Sequence, residues 1–446
     1  MNTPELLAPA GTPEHLETAF AYGADAVYAG QPRYSLRVRN NSFKNAAALG
    51  AGIERAHNLG KQFYLVSNIA PHNDKVRSYL KDLAPVLEQQ PDALIMSDPG
   101  LIMLVKEHWP DQPIHLSVQA NAVNWATVEF WRSQGISRVI LSRELALNEI
   151  REIRERVPQM ELEVFVHGAL CMAYSGRCLL SGYMNHRDAN QGACTNACRW
   201  NYKPVAHCHD QTGDLIVCSS DNPVQEALPR ETEPKEILLE EPNRPGSLIP
   251  AYEDEHGTYI MNSRDLRAVQ HVAALCEMGV HSLKIEGRTK STYYVARTTQ
   301  AYRRAIDEAA QGKPFDMSLM DELEALSNRG YTEGFLRRHL PQEYQSYERG
   351  SSYLGSQQVV GAIADANGQW LTITVKNKFS IGDLLELVTP SGNLRFTLPA
   401  MENLNGGTVD CAPGSGHIVR IPVPPNTPAQ LVHSYLTRIL PNGTQG

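Results

Sequence analysis

The runs QFYLVSN at residues 62–68 and DALIMSD at residues 92–98 are almost wholly apolar until polar side chains end them. Such runs are typical of parallel strands that are buried on both faces. Six more runs of this kind occupy residues 5–11, 25–30, 114–121, 138–144, 162–169 and 282–288. Helix-forming segments, such as NEIREIRERV at 148–157, separate most of them. The pattern predicts an α/β fold, a (β/α)8 barrel of the TIM type, with a doubly wound open sheet as the alternative.

Polar residues gather where these runs end. They are Asn68, Ser97, Asp98, Gln119, Asn121, Ser142, Arg143, Glu144, His167, Glu286 and Arg288. In a barrel the carboxyl ends of all strands lie on one face, where active sites are built. A single Asn or Ser after a strand is often a helix N-cap instead, and part of this set has that alternative. We predict that Asn68, Gln119, Arg143, His167 and Arg288 surround one cavity.

One connection is much longer than the others. Residues 171–264 separate the seventh run from a helical pattern, DLRAVQHVAALCEMG, at 265–279. Loops of that length in compact domains are usually functional or disordered. Two further helical patterns follow the eighth run, at 292–311 and 316–328. We therefore predict one barrel domain over residues 1–345, with trailing helices and an insertion at 171–264.

After residue 356 the pattern changes to short alternating strands separated by turn signals, such as VVGAIADANGQ and LTITVKNKF. This pattern is typical of small all-β domains. We predict a small C-terminal β-barrel domain over residues 356–446, with about six strands.

The composition is that of an ordinary globular protein, with 42% hydrophobic and 20% charged residues in 446. No apolar stretch approaches the roughly eighteen residues of a membrane helix, so no membrane partner is expected. The first residues, MNTPELLAPAG, lack the basic patch and apolar run of a signal peptide, which predicts a cytoplasmic protein. The net charge of −8 gives no general indication of nucleic-acid binding.

A local basic stretch, RYSLRVRNNSFK at 33–44, has four positive charges and no negative ones. It contains Arg33, Tyr34, Arg37 and Arg39. A solvated loop and a nucleic-acid contact are both open interpretations of such a stretch.

Four of the eight cysteines lie close together, at Cys171, Cys178, Cys194 and Cys198. Eight cysteines are too few for a disulfide scaffold in a chain of this length, and clustered cysteines in a reducing compartment indicate metal binding or catalysis. The spacing is loose for structural zinc, which favours closely spaced pairs. It suits an iron–sulfur cluster held by loops. Zinc and unligated thiols remain the alternatives.

The segment EVFVHGALCMAYSGRCLLS at 163–181 resembles the signature of the collagenase-like peptidase family of unassigned catalytic type. The resemblance continues through ELLAPAG, GADAVYAGQPRYSLR, MSDPGL, HLSVQANAVN, LSREL, SLKIEGRTKS and RGYTEGF. Within the family, QPRYSLRVRNN, SNIAPHN and the appended β-domain resemble a branch that forms 5-hydroxyuridine at the wobble position of tRNA.

This resemblance implies a tRNA substrate, prephenate as co-substrate and a [4Fe–4S] cluster on the four cysteines. An electron-transfer partner would accompany such chemistry. The family name implies the alternative function, a peptidase that acts on protein, but the sequence has neither an HExxH zinc site nor a GxSxG elbow. A non-catalytic, cluster-bearing adaptor is a third possibility.

Prephenate is a dicarboxylate, and the planar guanidinium of arginine suits carboxylates. We predict that Arg143 and Arg288 bind its carboxylates, and that Asn68, Gln119 and Asn121 also contact the substrate. We predict a catalytic set of His167, Arg288 and Glu286, in which His167 acts in proton transfer or as a donor to bound oxygen. Two structural alternatives stay open: an ion pair between Arg143 and Glu144, and a hydrogen bond from His167 to a carbonyl.

RNA contact is predicted for Arg33, Tyr34, Arg37 and Arg39, with a second basic patch at residues 337–339. An extruded uridine could stack on an aromatic ring. The candidate rings are those of Tyr34, Tyr293 and Tyr294.

Overall fold

The computed structural model describes residues 3–36, 41–170, 264–287, 290–328, 330–337 and 357–440. It also describes residues 174–178, 181, 187, 189–191 and 195, and the backbone of short strands between 203 and 258. Arg37, Arg39, Cys171, Cys194, Cys198 and Arg288 lie outside the described residues.

Eight parallel strands form a closed barrel. Their bounds are β1 Glu5–Pro9, β2 Ala26–Gly30, β3 Gln62–Ser67, β4 Ala93–Met96, β5 Ile114–Leu116, β6 Arg138–Ile140, β7 Glu161–Ala169 and β8 Ser282–Ile285. Each strand pairs in parallel with the next in this order. Strand β8 also pairs with β1 through Glu5 and Ser282, which closes the ring. The predicted barrel is therefore confirmed, and the open-sheet alternative is wrong.

Helices follow the strands and cover the outside of the barrel. They are α1 Pro13–Ala21, α2 Ala46–Asn58, α3 Asn73–Leu87, α4 Pro99–His108, α5 Trp125–Ser133, α6 Leu147–Arg156, α7 Val272–Glu277, α8 Thr292–Ala310 and α9 Ser318–Glu324. Side chains cap several of them: Asp98 Oδ1 accepts the Leu101 amide at 2.9 Å, and Asn124 Oδ1 accepts the Thr127 amide at 2.9 Å. Asp98, one of the polar residues at the strand ends, is thus a helix cap.

The helix predicted over residues 265–279 is shorter than its pattern indicates. Its first residues form a short strand, Asp265–Arg267, antiparallel to the end of β7, and α7 begins only at Val272. The reason is tertiary: β7 extends further than its neighbours, and the amides and carbonyls of its last residues need a partner. Pairing of Leu266 with Gly168 supplies it.

The C-terminal region is an all-β domain, as predicted. Its strands are Gln357–Ala366, Trp370–Val375, Phe379–Ser380, Leu384–Thr389, Gly392–Thr397, Glu402–Asn403, Cys411–Ala412, Ile418–Pro422 and Tyr435–Ile439. Seven of them form one antiparallel sheet, and the remaining two pair with each other. The ladders between the described residues do not join the edge strands of the large sheet into a ring.

This β-domain packs directly on the barrel helices α1 and α8. The Tyr22 hydroxyl of α1 donates to the carbonyls of Val388 and His433, each at 3.1 Å. In α8, Arg297 is fully buried and donates to Glu386 at 2.9 Å. The two domains therefore share a buried, hydrogen-bonded interface.

Candidate functional site

The carboxyl ends of β1–β8 meet at one face, here called the mouth of the barrel, and two predicted residues lie in contact there. Asn68 follows β3, and its Nδ2 donates to Gln119 Oε1 at 2.9 Å and to Ser117 Oγ at 3.1 Å. The Asn68 Oδ1 accepts the Leu36 amide at 3.2 Å. The structure thus brings Asn68 and Gln119 together as predicted. Their amides connect the loops after β2, β3 and β5.

Asn121 attaches the cysteine-bearing segment, residues 174–178, to the mouth. Its Nδ2 donates to the Ser175 carbonyl at 2.9 Å, and its Oδ1 accepts from Arg177 Nε at 3.1 Å. The backbone at Asn121 is left-handed, with φ of 54°, a conformation that Asn tolerates better than most residues. Residues 118–121 were predicted as the end of a strand. In the structure β5 ends at Leu116, and Val118–Ala120 form a single 3-10 turn.

Arg143 lies at the mouth, and three residues hold its side chain. Its guanidinium carbon is 3.8 Å from the centroid of the Phe165 ring. One terminal nitrogen donates to Ser175 Oγ at 3.2 Å, and the other is 3.8 Å from a carboxylate oxygen of Glu286. The alternative ion pair with Glu144 is not formed; Arg143 lies near Glu286 instead, and the Glu144 carboxylate accepts the Ser142 hydroxyl.

The backbone at Glu286 fits closely against β7. The Glu286 carbonyl accepts the Tyr294 hydroxyl at 2.9 Å. A Cβ at Gly168 would lie 2.3 Å from the same carbonyl oxygen, and φ at Gly168 is +105°. Only glycine permits this approach. It fixes the backbone at Glu286 against β7.

His167 is buried, with 1% of its surface exposed, among aromatic side chains. Its ring centroid is within 5.8 Å of those of Tyr294, Tyr302 and Tyr331. No described contact joins His167 to Arg143 or Asn68. The structural alternative for His167 is wrong, since its described side-chain partner is a tyrosine hydroxyl rather than a carbonyl.

Hydrogen bonds around His167 decide its tautomer. The Tyr302 hydroxyl donates to the Val166 carbonyl at 2.7 Å and accepts the Ala268 amide at 3.1 Å. The nearby Nδ1 of His167, at 3.3 Å, must then be the protonated nitrogen that donates to this hydroxyl. Its Nε2 presents a buried lone pair that has no partner in the described part of the chain.

Burial also sets the charge of His167. Desolvation lowers the pKa of His167 to about 3, and the cations Lys290 and Arg267 act in the same direction against Asp265. The imidazole is therefore neutral near pH 7. It can accept a hydrogen bond through Nε2, but it cannot serve as an imidazolium acid.

A buried charged layer lies beneath the mouth, and the sequence analysis missed it. Lys284 Nζ donates to Glu163 Oε1 at 2.7 Å and lies 4.4 Å from the Tyr28 ring centroid and 5.4 Å from that of Phe165. Phe165 therefore lies between Lys284 below and Arg143 above. The available signal was a charged residue in the middle of an apolar run, Glu163 in LEVFV and Lys284 in SLKI.

Cys178 is the one predicted cluster ligand among the described residues. It is a free thiol of intermediate exposure, and its carbonyl accepts Asn190 Nδ2 at 3.3 Å. The Asn190 carbonyl in turn accepts the Ala70 amide at 3.1 Å, so Cys178 is tied to the loop after β3. The described ranges contain no group of three or more His, Cys, Asp or Glu side chains that could hold a metal ion.

The predicted stacking role of Tyr34 is corrected by the structure. Its ring is fully buried and packs edge-on against Tyr79, with ring centroids 4.9 Å apart. Its hydroxyl donates to Asp82 at 2.6 Å. Tyr293 and Tyr294, the other candidates, are also buried. None of these rings offers a face to a base.

Arg33 does lie at the surface as predicted, with its side chain 60% exposed. It forms an ion pair with Asp82 at 2.8 Å, which partly neutralises its charge. Arg337, in the second basic patch, pairs with Glu333 at 2.9 Å. Residues 338 and 339 of that patch lie outside the described ranges.

Two family models match the chain over nearly its whole length. Peptidase family U32 matches residues 11–346, and the Peptidase family U32 C-terminal domain matches residues 355–432. The chain belongs to peptidase family U32.

Several curated relatives of this U32 chain carry names that refer to RNA. It is 62% identical to tRNA hydroxylation protein P of Escherichia coli (strain K12), over 95% of this chain and 94% of the relative. It is 59% identical to tRNA hydroxylation protein P of Haemophilus influenzae, over 94% of this chain and 93% of the relative. It is 29% identical to a 23S rRNA 5-hydroxycytidine synthase of Escherichia coli, over 78% of this chain and 44% of the relative.

One further structural finding concerns membranes. Among the helices that the structure describes, none has both the length and the apolar character needed to cross a bilayer.

Proposed function

We propose that this U32 chain hydroxylates tRNA and forms 5-hydroxyuridine at the wobble position. The observation that carries the proposal is the 62% identity, over nearly both full lengths, to a protein named for tRNA hydroxylation. The more distant relative named as a 5-hydroxycytidine synthase supports the same chemistry, because both products carry a hydroxyl group at C5 of a pyrimidine. The polar mouth of the barrel supplies a site of the expected kind.

A [4Fe–4S] cluster is the proposed cofactor, with Cys171, Cys178, Cys194 and Cys198 as ligands. Cys178 fits this role because it is a free, partly exposed thiol whose backbone is fixed at the mouth. When bound there, such a cluster would supply one-electron redox chemistry beside the substrate. An electron-transfer protein is the corresponding proposed partner.

Prephenate is the proposed co-substrate, and Arg143 is its proposed anchor. The stacking of Arg143 on Phe165 holds the guanidinium plane, and Ser175 and Glu286 fix its rotation. A carboxylate could then be bound in bidentate geometry without further ordering of the side chain. Arg288 is the proposed second cation for the other carboxylate.

His167 is proposed to act as a hydrogen-bond acceptor. Its ring is neutral, so the Nε2 lone pair can accept a hydrogen bond from a hydroxyl or amide group. Proton donation, one of the roles predicted from the sequence, would require a charged ring that burial disfavours.

Mass spectrometry of nucleosides from bulk tRNA tests the function directly. A strain that lacks this gene should lose 5-hydroxyuridine, and a plasmid copy should restore it. An unchanged content of 5-hydroxyuridine and of its derivatives in the deletion strain would contradict the proposal. A peptidase that acts only on protein predicts that unchanged content.

Metal analysis tests the cofactor. Protein purified without oxygen should be brown and contain about four iron and four sulfide ions per chain. Cys178→Ala should lose the colour while it keeps the barrel fold, because the residue is not part of the core. Stoichiometric zinc without sulfide would contradict the cluster.

A further inference from the structure

Residues 174–177 form a tight turn at the mouth. The Arg177 amide donates to the Tyr174 carbonyl at 3.0 Å, and Gly176 takes the left-handed φ of +73° that such a turn needs. The turn exposes its two end side chains: 50% of the Tyr174 surface is accessible, and Arg177 is exposed as well. An aromatic ring and a guanidinium are therefore both exposed on one turn, next to Asn121 and Arg143 of the candidate site.

Contacts from the barrel hold this turn in place. The Ser175 carbonyl accepts from Asn121 and its hydroxyl accepts from Arg143. Gly176 packs against Gln119 so closely that a Cβ would lie 3.0 Å from the Gln119 side chain. The exposed pair thus belongs to a fixed surface rather than to a loose loop, so its side chains would need little ordering when they bind a ligand.

Arg177 is positioned to bind an anion. Its Nε donates to Asn121 Oδ1 at 3.1 Å, which orients the guanidinium plane and leaves the terminal nitrogens for another partner. Within the described ranges, no carboxylate forms an ion pair with Arg177. A fixed guanidinium at an exposed position is a good partner for phosphate.

We propose that Tyr174 and Arg177 form an RNA-binding element at the mouth, in which a base stacks on Tyr174 and an adjacent phosphate binds Arg177. This inference rests on the proposed function and names the surface that would receive the tRNA. Stacking on an aromatic ring beside a cation is a common way to hold unpaired nucleotides. The buried rings of Tyr34, Tyr293 and Tyr294 cannot provide it.

The test measures binding of the full-length protein to an anticodon stem–loop RNA over a range of salt concentrations. Tyr174→Ala should weaken binding by roughly tenfold and leave the salt dependence unchanged, because stacking involves no counterion. Tyr174→Phe should bind like the wild type. Arg177→Gln should lower the slope of log affinity against log salt by about 0.7 to 0.9, the effect of one phosphate contact.

Two residues of α5 provide matched controls. Phe130 is an exposed aromatic residue, with 55% of its surface accessible, and Arg132 is an exposed arginine that pairs with Glu129 at 2.7 Å. Both lie near the end of a helix that runs back from the mouth toward the opposite face. Phe130→Ala and Arg132→Gln should bind RNA like the wild type.

Wild-type affinity and salt slope in both Tyr174→Ala and Arg177→Gln would overturn the inference, and so would failure of the wild type to bind the stem–loop. Equal losses in the α5 controls would overturn it too, since the effect would not be specific to the mouth. A different result would contradict only the proposed function. In that case the wild type binds RNA and the two turn variants bind it less well, but 5-hydroxyuridine is unchanged in the deletion strain.

Discussion

His167 shows how the fold determines the chemistry of a single side chain. Three tyrosine rings exclude water from it, and the Tyr302 hydroxyl selects the tautomer that leaves Nε2 unprotonated. A histidine after a barrel strand suggests an acid–base catalyst. Its burial makes it instead a neutral acceptor over the physiological pH range, with a cost to stability in acid.

The acid stability of the protein should depend on His167. Its pKa is about 3 when folded and about 6.5 when unfolded, so the unfolded state binds more protons in between. The contribution of His167 to the free energy of unfolding is complete above pH 6.5 and is lost as the pH falls toward 3. His167→Gln removes this dependence. Between pH 7 and pH 5, the free energy of unfolding of the wild type should therefore fall by about 2 kcal/mol more than that of His167→Gln.

Urea unfolding at these two pH values measures the shift. Tyr302→Phe is the control, because it removes the hydroxyl partner but keeps a buried histidine, and it should retain the acid sensitivity of the wild type. A gap between wild type and His167→Gln that stays constant from pH 7 to pH 5 would contradict this, because it would mean that the pKa of His167 is the same in the folded and unfolded states.

The cysteine-bearing segment is the structural element on which the site depends. Asn121 bridges Ser175 and Arg177 with one donor and one acceptor, a combination that its amide provides and that neither Asp nor Ala can reproduce. Arg143 and Asn190 add bonds on either side. The segment with Cys178 is thereby fixed to the loops after β3, β5 and β6.

Asn121 variants should loosen this segment. We expect Asn121→Ala and Asn121→Asp to accelerate amide hydrogen exchange across residues 174–178, because the first loses both bonds and the second places a carboxylate against the Ser175 carbonyl. Asn124→Ala is the matched control: it removes the N-cap of α5, at a cost of about 1 kcal/mol, without touching the segment. Equal exchange in wild type and both Asn121 variants would refute the role of Asn121.

At the scale of the whole molecule, a buried arginine joins the barrel to the β-domain. Arg297 in α8 donates to Glu386 of the β-domain at 2.9 Å and lies 3.7 Å from Glu322 of α9. It is inaccessible to solvent, and so is most of the Glu386 carboxylate. Removal of one member of such a pair leaves an uncompensated buried charge.

Arg297→Met should therefore lower the free energy of unfolding by about 3 to 5 kcal/mol. Arg395→Met is the control, because Arg395 binds the same Glu386 at 3.3 Å but is 62% exposed; a pair of that kind contributes about 1 kcal/mol or less. Glu386→Gln combined with Arg297→Met should recover part of the loss. Chemical denaturation measures these losses. If Arg297→Met and Arg395→Met each lower the free energy of unfolding by only about 1 kcal/mol, the interface does not depend on Arg297.

The sequence predicted those parts of the molecule whose cause is local. Near-continuous apolar runs identified the eight barrel strands, and polar residues after them identified the mouth with Asn68, Gln119 and Arg143. It also marked helices such as 148–157, found at Leu147–Arg156. These patterns depend on burial along one segment at a time, which periodicity reveals.

Features that depend on distant segments were not predictable in this way. Tyr34 is buried because α3 brings Tyr79 and Asp82 over it, and nothing near Tyr34 in the sequence indicates that cover. His167 is neutral because it is buried, and the rings of Tyr302 and Tyr331 that help to bury it lie far from it in the sequence. Residues 174–177 lie within the family motif, yet the position of this turn at the mouth follows only from its attachment to Asn121 and Arg143.

One complementation experiment tests whether the mouth of the barrel hydroxylates tRNA. A deletion strain is supplied with the wild type, with Arg143→Lys or with Arg132→Gln, and 5-hydroxyuridine in bulk tRNA is quantified by mass spectrometry. Arg143→Lys keeps the charge but loses both the planar stacking on Phe165 and the fork geometry. We expect full restoration by the wild type and Arg132→Gln, and little or none by an Arg143→Lys protein of normal melting temperature. Normal 5-hydroxyuridine from that folded variant would contradict hydroxylation at this site.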